Sequence, residues 1–171
     1  MTAPRTTRID LERVAFSYAP DAWTLSVPAL RLGEDRVSFV VGPNGSGKST
    51  LLRLAAGIAA ADRGTVCVDD RPIDRFSRRA LARRIGFLPQ ESPPLFDYTV
   101  DMVARMGRYA HTGWVGALAE DDRRAVDSAL DALALGDLRG RPLSHLSGGE
   151  RRRALIAAVL AQEPGLLLLD E

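Results

Sequence analysis

A glycine-rich segment at residues 42–50, GPNGSGKST, constrains the fold more than any other part of this chain. It follows an apolar, β-branched run at residues 36–41 and precedes a stretch with leucines at positions 51, 52 and 54. The first run is typical of a buried strand, and the leucine spacing is typical of a helix, here ending at Gly57. A strand, a tight glycine loop and a helix in this order predict an α/β fold.

The same segment has the pattern G-x-x-x-x-G-K-[ST], which is suited to binding phosphate groups. Glycines allow consecutive backbone N–H groups to point at an anion, and the helix that follows adds its positive end. Lys48 would reach the β- and γ-phosphates of ATP, and the Ser49 hydroxyl would ligate Mg²⁺. Lys48 is the only lysine among 23 basic residues, which fits a tight site that needs a compact point charge.

Two carboxylates, Asp170 and Glu171, follow an apolar run at residues 166–169. Such a run predicts a buried parallel strand, and the carboxyl ends of parallel strands face the ligand crevice. We therefore expect Asp170 to hold Mg²⁺ and Glu171 to polarise the water that attacks the γ-phosphate.

Residues 146–150, LSGGE, predict a helix start in which Ser147 is the N-cap and Glu150 completes a capping box. Together with the phosphate loop and the acid pair, in this order, the segment resembles the signature loop of ABC-type ATPases. The resemblance covers essentially the whole chain and implies a P-loop NTPase fold of the ABC ATPase type. It also implies a head-to-tail dimer in which these residues contact the γ-phosphate bound by the other subunit: Ser147, Gly148, Gly149 and Glu150.

The resemblance assigns roles to two further residues. Tyr18 matches the aromatic residue that stacks on adenine, and Gln90 matches the glutamine that contacts Mg²⁺ and the attacking water. We interpret Trp23, which lies close to Tyr18, as a packing residue. The expected ATP-binding residues are Tyr18, Gly42, Asn44, Gly45, Ser46, Gly47, Lys48, Ser49 and Thr50; the expected catalytic residues are Lys48, Gln90 and Glu171; the expected metal ligands are Ser49, Gln90 and Asp170.

The remaining pattern predicts an N-terminal antiparallel β-subdomain and a helical insert around the P-loop core. Loosely alternating runs predict two antiparallel strands joined by a turn, and Ser77 is expected to cap a short helix. The predicted strands cover residues 8–18, 25–32, 36–41, 65–68, 85–88 and 166–169, and the main helices after the phosphate-loop helix cover residues 99–106, 121–135 and 150–162.

We interpret residues 1–171 as a single ATP-binding domain that is incomplete at its C-terminal side. Residues 1–90 form the antiparallel and phosphate-loop part, and residues 91–147 form the helical subdomain. Residues 148–171 form the helix after the signature and the acid-bearing strand. Family members continue for some tens of residues and add a histidine that contacts the γ-phosphate. We therefore expect a chain ending at Glu171 to be a hydrolysis-deficient fragment with reduced stability and a tendency to aggregate.

Composition and charge limit the kinds of partner molecule and the cellular location that we expect. The net charge of +1 gives no support for a nucleic-acid partner, and the single cysteine, Cys67, excludes an internal disulfide. The longest apolar run, at residues 155–161, is far short of the ~20 residues of a membrane-spanning helix. We expect a cytoplasmic protein. Docking to membrane permease subunits, which the resemblance implies, would hold it at the inner face of the cell membrane.

Several charged residues have simpler interpretations. The three consecutive arginines at residues 151–153 are interpreted as a partly solvated helix face rather than a nucleic-acid patch. His111 and His145 are not interpreted as catalytic residues.

The segments at residues 96–100 and 106–111 bear on the cargo. They resemble the helical subdomain of importers for iron–siderophore complexes, haem and cobalamin. Manganese and zinc importers carry a similar stretch and remain an alternative, as does a soluble ABC ATPase without a transporter. That last class is expected to contain a long coiled coil, a zinc module or tandem cassettes, and the sequence has none of these.

Overall fold

The computed structural model describes residues 6–20, 23–34, 37–90, 98–112 and 118–170. Within these ranges the strands are β1 (Ile9–Ser17), β2 (Thr24–Leu32), β3 (Arg63–Val68), β4 (Arg71–Pro72), β5 (Ile85–Leu88) and β6 (Leu166–Leu169). The α-helices are α1 (Lys48–Ala55), α2 (Arg78–Ala82), α3 (Val100–Met106), α4 (Tyr109–Thr112), α5 (Glu120–Ala132) and α6 (Gly148–Ala161). Short 3₁₀ turns occupy Ile73–Arg75, Gly136–Leu138 and Leu143–His145.

The N-terminal strands form the predicted antiparallel sheet, with the order β2-β1-β3-β4. Ile9 lies at the centre of this sheet, because it pairs with Leu32 on one side and Val68 on the other. The three side chains are buried and belong to one apolar cluster. Alternation along β1 and β2 therefore supplies one apolar face for the rest of the core.

A β-bulge interrupts β1 where it pairs with β3, between Glu12 and Ala15. Arg13 has a positive φ of 50° there, and the buried positions change from odd numbers, such as Leu11, to even ones, such as Val14. Gly64 of β3 makes the bulge possible, because a Cβ atom on this residue would lie 2.3 Å from the Arg13 carbonyl oxygen. The bulge leaves the end of β1 with its even-numbered side chains facing the core.

The predicted strand at residues 36–41 is not formed in the described part, residues 37–41. Val37, Phe39 and Val41 are instead exposed, Phe39 to 85%. β5 pairs in parallel with β6, and none of the described strands pairs with this segment. Apolar side chains are buried in a strand only where a neighbouring strand and a covering layer exist, so a local apolar pattern was not sufficient here.

The helical region has an apolar core of its own. The helices α3, α5 and α6 contribute buried residues such as Val103, Leu130 and Ala157 to one cluster, separate from the cluster around the antiparallel sheet, α1 and β6. The predicted helix at residues 99–106 is confirmed, with the Thr99 hydroxyl accepting a hydrogen bond from the Met102 N–H. The short helix α4 follows α3 after Gly107 and Arg108.

Side chains of α2 and α6 connect the two regions. Arg79 of α2 and Arg83, just after this helix, donate to the Ala110 carbonyl at 2.9 and 2.6 Å. They place positive charge near the carboxyl end of α4, which stabilises that helix. Ser77 caps α2, as predicted. Gln162, just after α6, donates to the Ile85 carbonyl at 2.9 Å.

Within the described ranges, no helix is both long enough and apolar enough to cross a bilayer.

Candidate functional site

A cavity of about 490 Å³ lies between the phosphate loop and the turn that joins β1 and β2. Most of the predicted ATP-binding residues contribute to its wall, together with Gln90. Gly42 and Ser46 do not line it. The lining residues are Tyr18, Trp23, Asn44, Gly45, Gly47, Lys48, Ser49, Thr50 and Gln90.

The phosphate loop turns into α1 at Gly47, which has a φ of 94° and is the N-cap residue of the helix. A Cβ atom there would lie 2.5 Å from Cη2 of Trp23. Only glycine therefore satisfies both the left-handed backbone and the close approach of the indole ring. The backbone N–H of Leu51 donates to the Gly47 carbonyl at 2.8 Å, which starts the helix.

The Lys48 ammonium is held inside the loop. Its Nζ donates to the carbonyl oxygens of Gly42 and Pro43 at 3.0 and 3.1 Å. Ser46 closes the same turn, because its N–H donates to the Pro43 carbonyl at 3.2 Å. A positive charge at the N-terminal end of α1, inside a cavity wall, forms a favourable site for an anion.

The Ser49 hydroxyl donates a hydrogen bond of 2.8 Å to Oδ1 of Asp170. Asp170 is only 5% exposed, and its backbone N–H donates to the Leu88 carbonyl at 3.0 Å, so the end of β6 is fixed beside β5. The Ser49 hydroxyl, the Asp170 carboxylate and the Gln90 amide offer oxygen ligands, which Mg²⁺ prefers. In proteins Mg²⁺ usually binds through one or two carboxylates and the phosphates of a substrate. These residues fit the predicted metal ion. Glu171 lies outside the described residues.

Tyr18, the residue directly after β1, also lines the cavity. Its hydroxyl lies 3.3 Å from Oγ1 of Thr50 and accepts a hydrogen bond from Arg53 at 3.2 Å. The Thr50 contact, followed by that of Arg53, lowers the pKa of the phenol. The ring packs edge-on against Phe16 with a centroid distance of 4.8 Å and is still 61% exposed, so one face is available to a ligand.

Trp23, interpreted from the sequence as a packing residue, packs against the phosphate loop and also borders the cavity. The indole ring lies against Gly47, lines the cavity and is 53% exposed. The Ser17 hydroxyl helps to hold it there through a hydrogen bond of 3.2 Å to the Trp23 carbonyl. An aromatic residue in a turn, five residues after Tyr18, was the available sequence signal for a second aromatic wall.

The signature segment forms the predicted capping box at the start of α6. The Ser147 hydroxyl accepts from the Glu150 N–H at 3.3 Å, and Glu150 Oε2 accepts from the Ser147 N–H at 2.8 Å and its hydroxyl at 2.7 Å. These bonds, first that of the Ser147 side chain, lower the pKa of Glu150. Ser147, Gly148 and Gly149 are exposed and do not line the cavity.

Comparison with known proteins identifies this arrangement. The profile of the ABC transporter family matches residues 25–171. The chain belongs to this family.

Three similar relatives carry names that state import or transport. The chain is 48% identical over 143 residues to the hemin import ATP-binding protein HmuV of Streptomyces coelicolor, covering 83% of this chain and 49% of the relative. It is 40% identical over 142 residues to the ferric enterobactin transport ATP-binding protein FepC of Escherichia coli, covering 83% and 52%. The cobalamin import ATP-binding protein BtuD of Halobacterium salinarum is 43% identical over 132 residues, covering 77% and 33%. The chain thus spans about half or less of the length of these relatives.

Solved ABC structures share the fold. An inward-facing metal-chelate type ABC transporter superposes with a TM-score of 0.78 at 33% identity, over 96% of this chain and 61% of the other. The cbiO1 protein of Clostridium perfringens, part of the ABC transporter complex cbiONQ, superposes with a TM-score of 0.77 at 32% identity, over 95% and 64%. The P-loop fold of the ABC ATPases, predicted from the motifs, is confirmed.

Two further groups lie near the ABC motifs. Arg151 and Arg153 are exposed and Arg152 is partly buried, as predicted for a partly solvated helix face. His111 places Nε2 2.9 Å from the Gln162 carbonyl oxygen, and neither it nor His145 lines the cavity.

Proposed function

We propose that this chain binds Mg·ATP in the cavity beside α1 and belongs to the ATPase of an importer for iron–siderophore complexes, haem or cobalamin. The observation that carries the proposal is the position of Lys48, with its ammonium inside the phosphate loop and beside the cavity. The cargo class rests on relatives whose names state hemin import, ferric enterobactin transport and cobalamin import.

The residues of the cavity divide the work of nucleotide binding. The loop N–H groups and Lys48 would bind the phosphate oxygens, and Tyr18 with Trp23 would offer aromatic surface to the base. Ser49, Gln90 and Asp170 would hold Mg²⁺, which supplies neutralisation of the charge on the phosphates. The Asp170 carboxylate already accepts a hydrogen bond from the Ser49 hydroxyl, so both oxygens are oriented in advance. We assign to Glu171 the role of polarising the attacking water.

The partners follow from the same proposal. The exposed Ser147–Gly149 segment at the start of α6 would contact the γ-phosphate bound by a second nucleotide-binding subunit, because N–H groups at a helix start form an anion site. Permease subunits would hold the protein at the inner face of the membrane. The two apolar cores support a boundary between a phosphate-loop part at 1–90 and a helical subdomain at 91–147. Within the segment 148–171, α6 packs in the helical core and Leu168 of β6 packs in the other core.

The decisive experiment for nucleotide binding is calorimetric titration of Lys48→Ala with Mg·ATP. Removing the ammonium should abolish measurable binding, because no other described lysine or arginine lines the cavity. Lys48→Arg should also weaken binding, since a planar guanidinium is bulkier than a compact ammonium. Arg124→Ala, which removes an exposed charge on α5, should bind as the wild type does. Unchanged affinity of Lys48→Ala would remove the proposal.

The importer assignment has a separate test. A photo-crosslinker at Thr112, at the end of α4, should react with a co-expressed permease of the iron-chelate or cobalamin class. The control position is Thr24, at the start of β2 in the N-terminal sheet, where we expect no crosslink. Crosslinks found only from Thr24 would contradict docking through the helical region.

A further inference from the structure

Arg152 differs in its surroundings from the arginines beside it. It lies near the start of α6, five residues after Ser147, and is partly buried, whereas Arg151 and Arg153 are exposed. The three residues have the same chemistry and adjacent positions. The difference therefore reflects what Arg152 contacts.

The guanidinium of Arg152 faces the carboxyl ends of two parallel strands. Its Nη1 donates to the Pro89 carbonyl at 3.2 Å and lies 3.5 Å from the Gln90 carbonyl, just beyond β5. Its Nη2 lies 3.5 Å from the Asp170 carbonyl, just beyond β6. A planar fork with several donors can engage acceptors on both strand ends at once, which an ammonium or a single amide cannot do equally well.

These carbonyls belong to, or adjoin, two of the three residues that fit Mg²⁺. Gln90 and Asp170 each have a backbone oxygen next to Arg152, while the third residue, Ser49, is held by α1. Lys48 and Gly47 organise the phosphate loop. The hydrogen bonds of Arg152 to the two strand ends connect it to the metal side of the cavity.

We propose that Arg152 is a positioning residue that fixes the main chain of Gln90 and Asp170 for Mg²⁺ and ties both to the helix that begins at Ser147. The inference rests on the proposed function, because it concerns the metal ion of the same site. Arg152 acts through the strand ends and does not itself touch the nucleotide. Residues that hold metal ligands in place commonly contribute 10–100-fold, roughly, to metal affinity.

The test compares ATP affinity with excess Mg²⁺ and with EDTA, by calorimetry on the full chain. In Arg152→Ala the affinity in EDTA should stay within about twofold of wild type, since the loop is untouched, while the gain from Mg²⁺ should fall by about tenfold. Arg151→Ala and Arg153→Ala are the matched controls and should keep the wild-type gain. Arg152→Lys should recover part of the gain, because it restores the charge without the fork.

Arg152→Met covers the case in which the alanine variant does not fold, because it keeps the volume of the aliphatic stem while removing all donors. It should show the same tenfold fall, with a thermal midpoint close to that of wild type. A wild-type Mg²⁺ gain in folded Arg152→Met or Arg152→Ala overturns the inference, and so does an equal fall in the Arg151→Ala control. If wild type itself binds no ATP, the proposed function fails; if wild type binds and only the Arg152 comparison fails, the proposed function stands.

Discussion

The Ser49 hydroxyl donates a 2.8 Å hydrogen bond to the Asp170 carboxylate, although 121 positions separate the two residues in the chain. The bond joins the first turn of α1 to the end of β6, and so connects the phosphate loop with the acid-bearing strand. Asp170 is almost fully buried, and burying a carboxylate is costly unless it is hydrogen-bonded. The contact therefore contributes to stability and to the arrangement of the site together.

Removal of the Ser49 hydroxyl should reduce both properties. In Ser49→Ala we expect the free energy of unfolding to fall by about 1.5–3 kcal/mol, because a hydrogen bond to a buried charged group is lost. The gain in ATP affinity from Mg²⁺ should fall as well, since a proposed metal ligand is lost. Urea denaturation and calorimetry measure the two effects, and Ser49→Thr, which keeps a hydroxyl, is the control. Wild-type stability of Ser49→Ala would show that the bond has no energetic weight.

Trp23 should report directly on nucleotide binding. The protein has two tryptophans, so Trp114→Phe leaves Trp23 as the only indole fluorophore. Because Trp23 lies in the cavity wall and is half-exposed, ATP should change its emission saturably, with the midpoint found by calorimetry. Trp23→Ala should weaken ATP binding by about 1–3 kcal/mol if the base lies against the ring, as for base–aromatic stacking elsewhere. Emission that ATP does not alter in the single-tryptophan variant would return Trp23 to a packing role.

Local signals predicted well the elements that depend on local chemistry. The strands at residues 85–88 and 166–169, the Ser77 cap and the Ser147–Glu150 capping box are all confirmed, because each is defined by residues close together in sequence. The contacts of Trp23 with Gly47 and of Arg152 with the strand ends were not predicted, because they cross long sequence distances. The predicted strand at residues 36–41 was wrong in its described part, 37–41, for a related reason: burial of a strand depends on strands that lie elsewhere in the chain.

The buried pair of Arg108 and Asp122 should be the most sensitive ionic contact of the helical region. Arg108 is 4% exposed and donates to Asp122 at 2.8–2.9 Å, to the Ala161 carbonyl at 2.7 Å and to Glu163 at 2.8 Å. Arg108→Ala should lower the free energy of unfolding by about 3–5 kcal/mol, because Asp122 is left buried without its partner.

The surface pair of Arg124 and Asp121, on the same helix as Asp122, provides the control. Both of its members are exposed, so Arg124→Ala should leave the free energy of unfolding close to that of wild type. Equal losses for Arg108→Ala and Arg124→Ala in urea denaturation would show that burial does not govern the strength of these pairs.

Acid should weaken the antiparallel sheet through Asp10. Its carboxylate accepts hydrogen bonds from Arg31 at 2.6 Å and Arg8 at 2.8 Å, and these hold its pKa below the ordinary value. With a lowered folded pKa, the stabilisation is complete above the unfolded value of about 3.9 and is lost as the pH falls through the folded value. Asp10→Asn should therefore lower the thermal midpoint at pH 7 and flatten its dependence on pH below about 4. Asp137→Asn, at an exposed position, is the control; a wild-type acid profile for Asp10→Asn would exclude this contribution.

The bulge at Arg13 has a consequence for how the hairpin can vary in length. Pro28 of β2 lies across from Arg13, and the two residues do not pair. At this point the inward-facing positions change from odd to even residue numbers along β1, and from odd to even along β2. Removing Arg13 and Pro28 together would make the pairing of β1 with both neighbours continuous, with Val14, Phe16 and Tyr18 still on the face that meets α1. The two residues are therefore a removable spacer. The position of Tyr18, which lines the cavity, is better counted from Val14 than from the start of the strand.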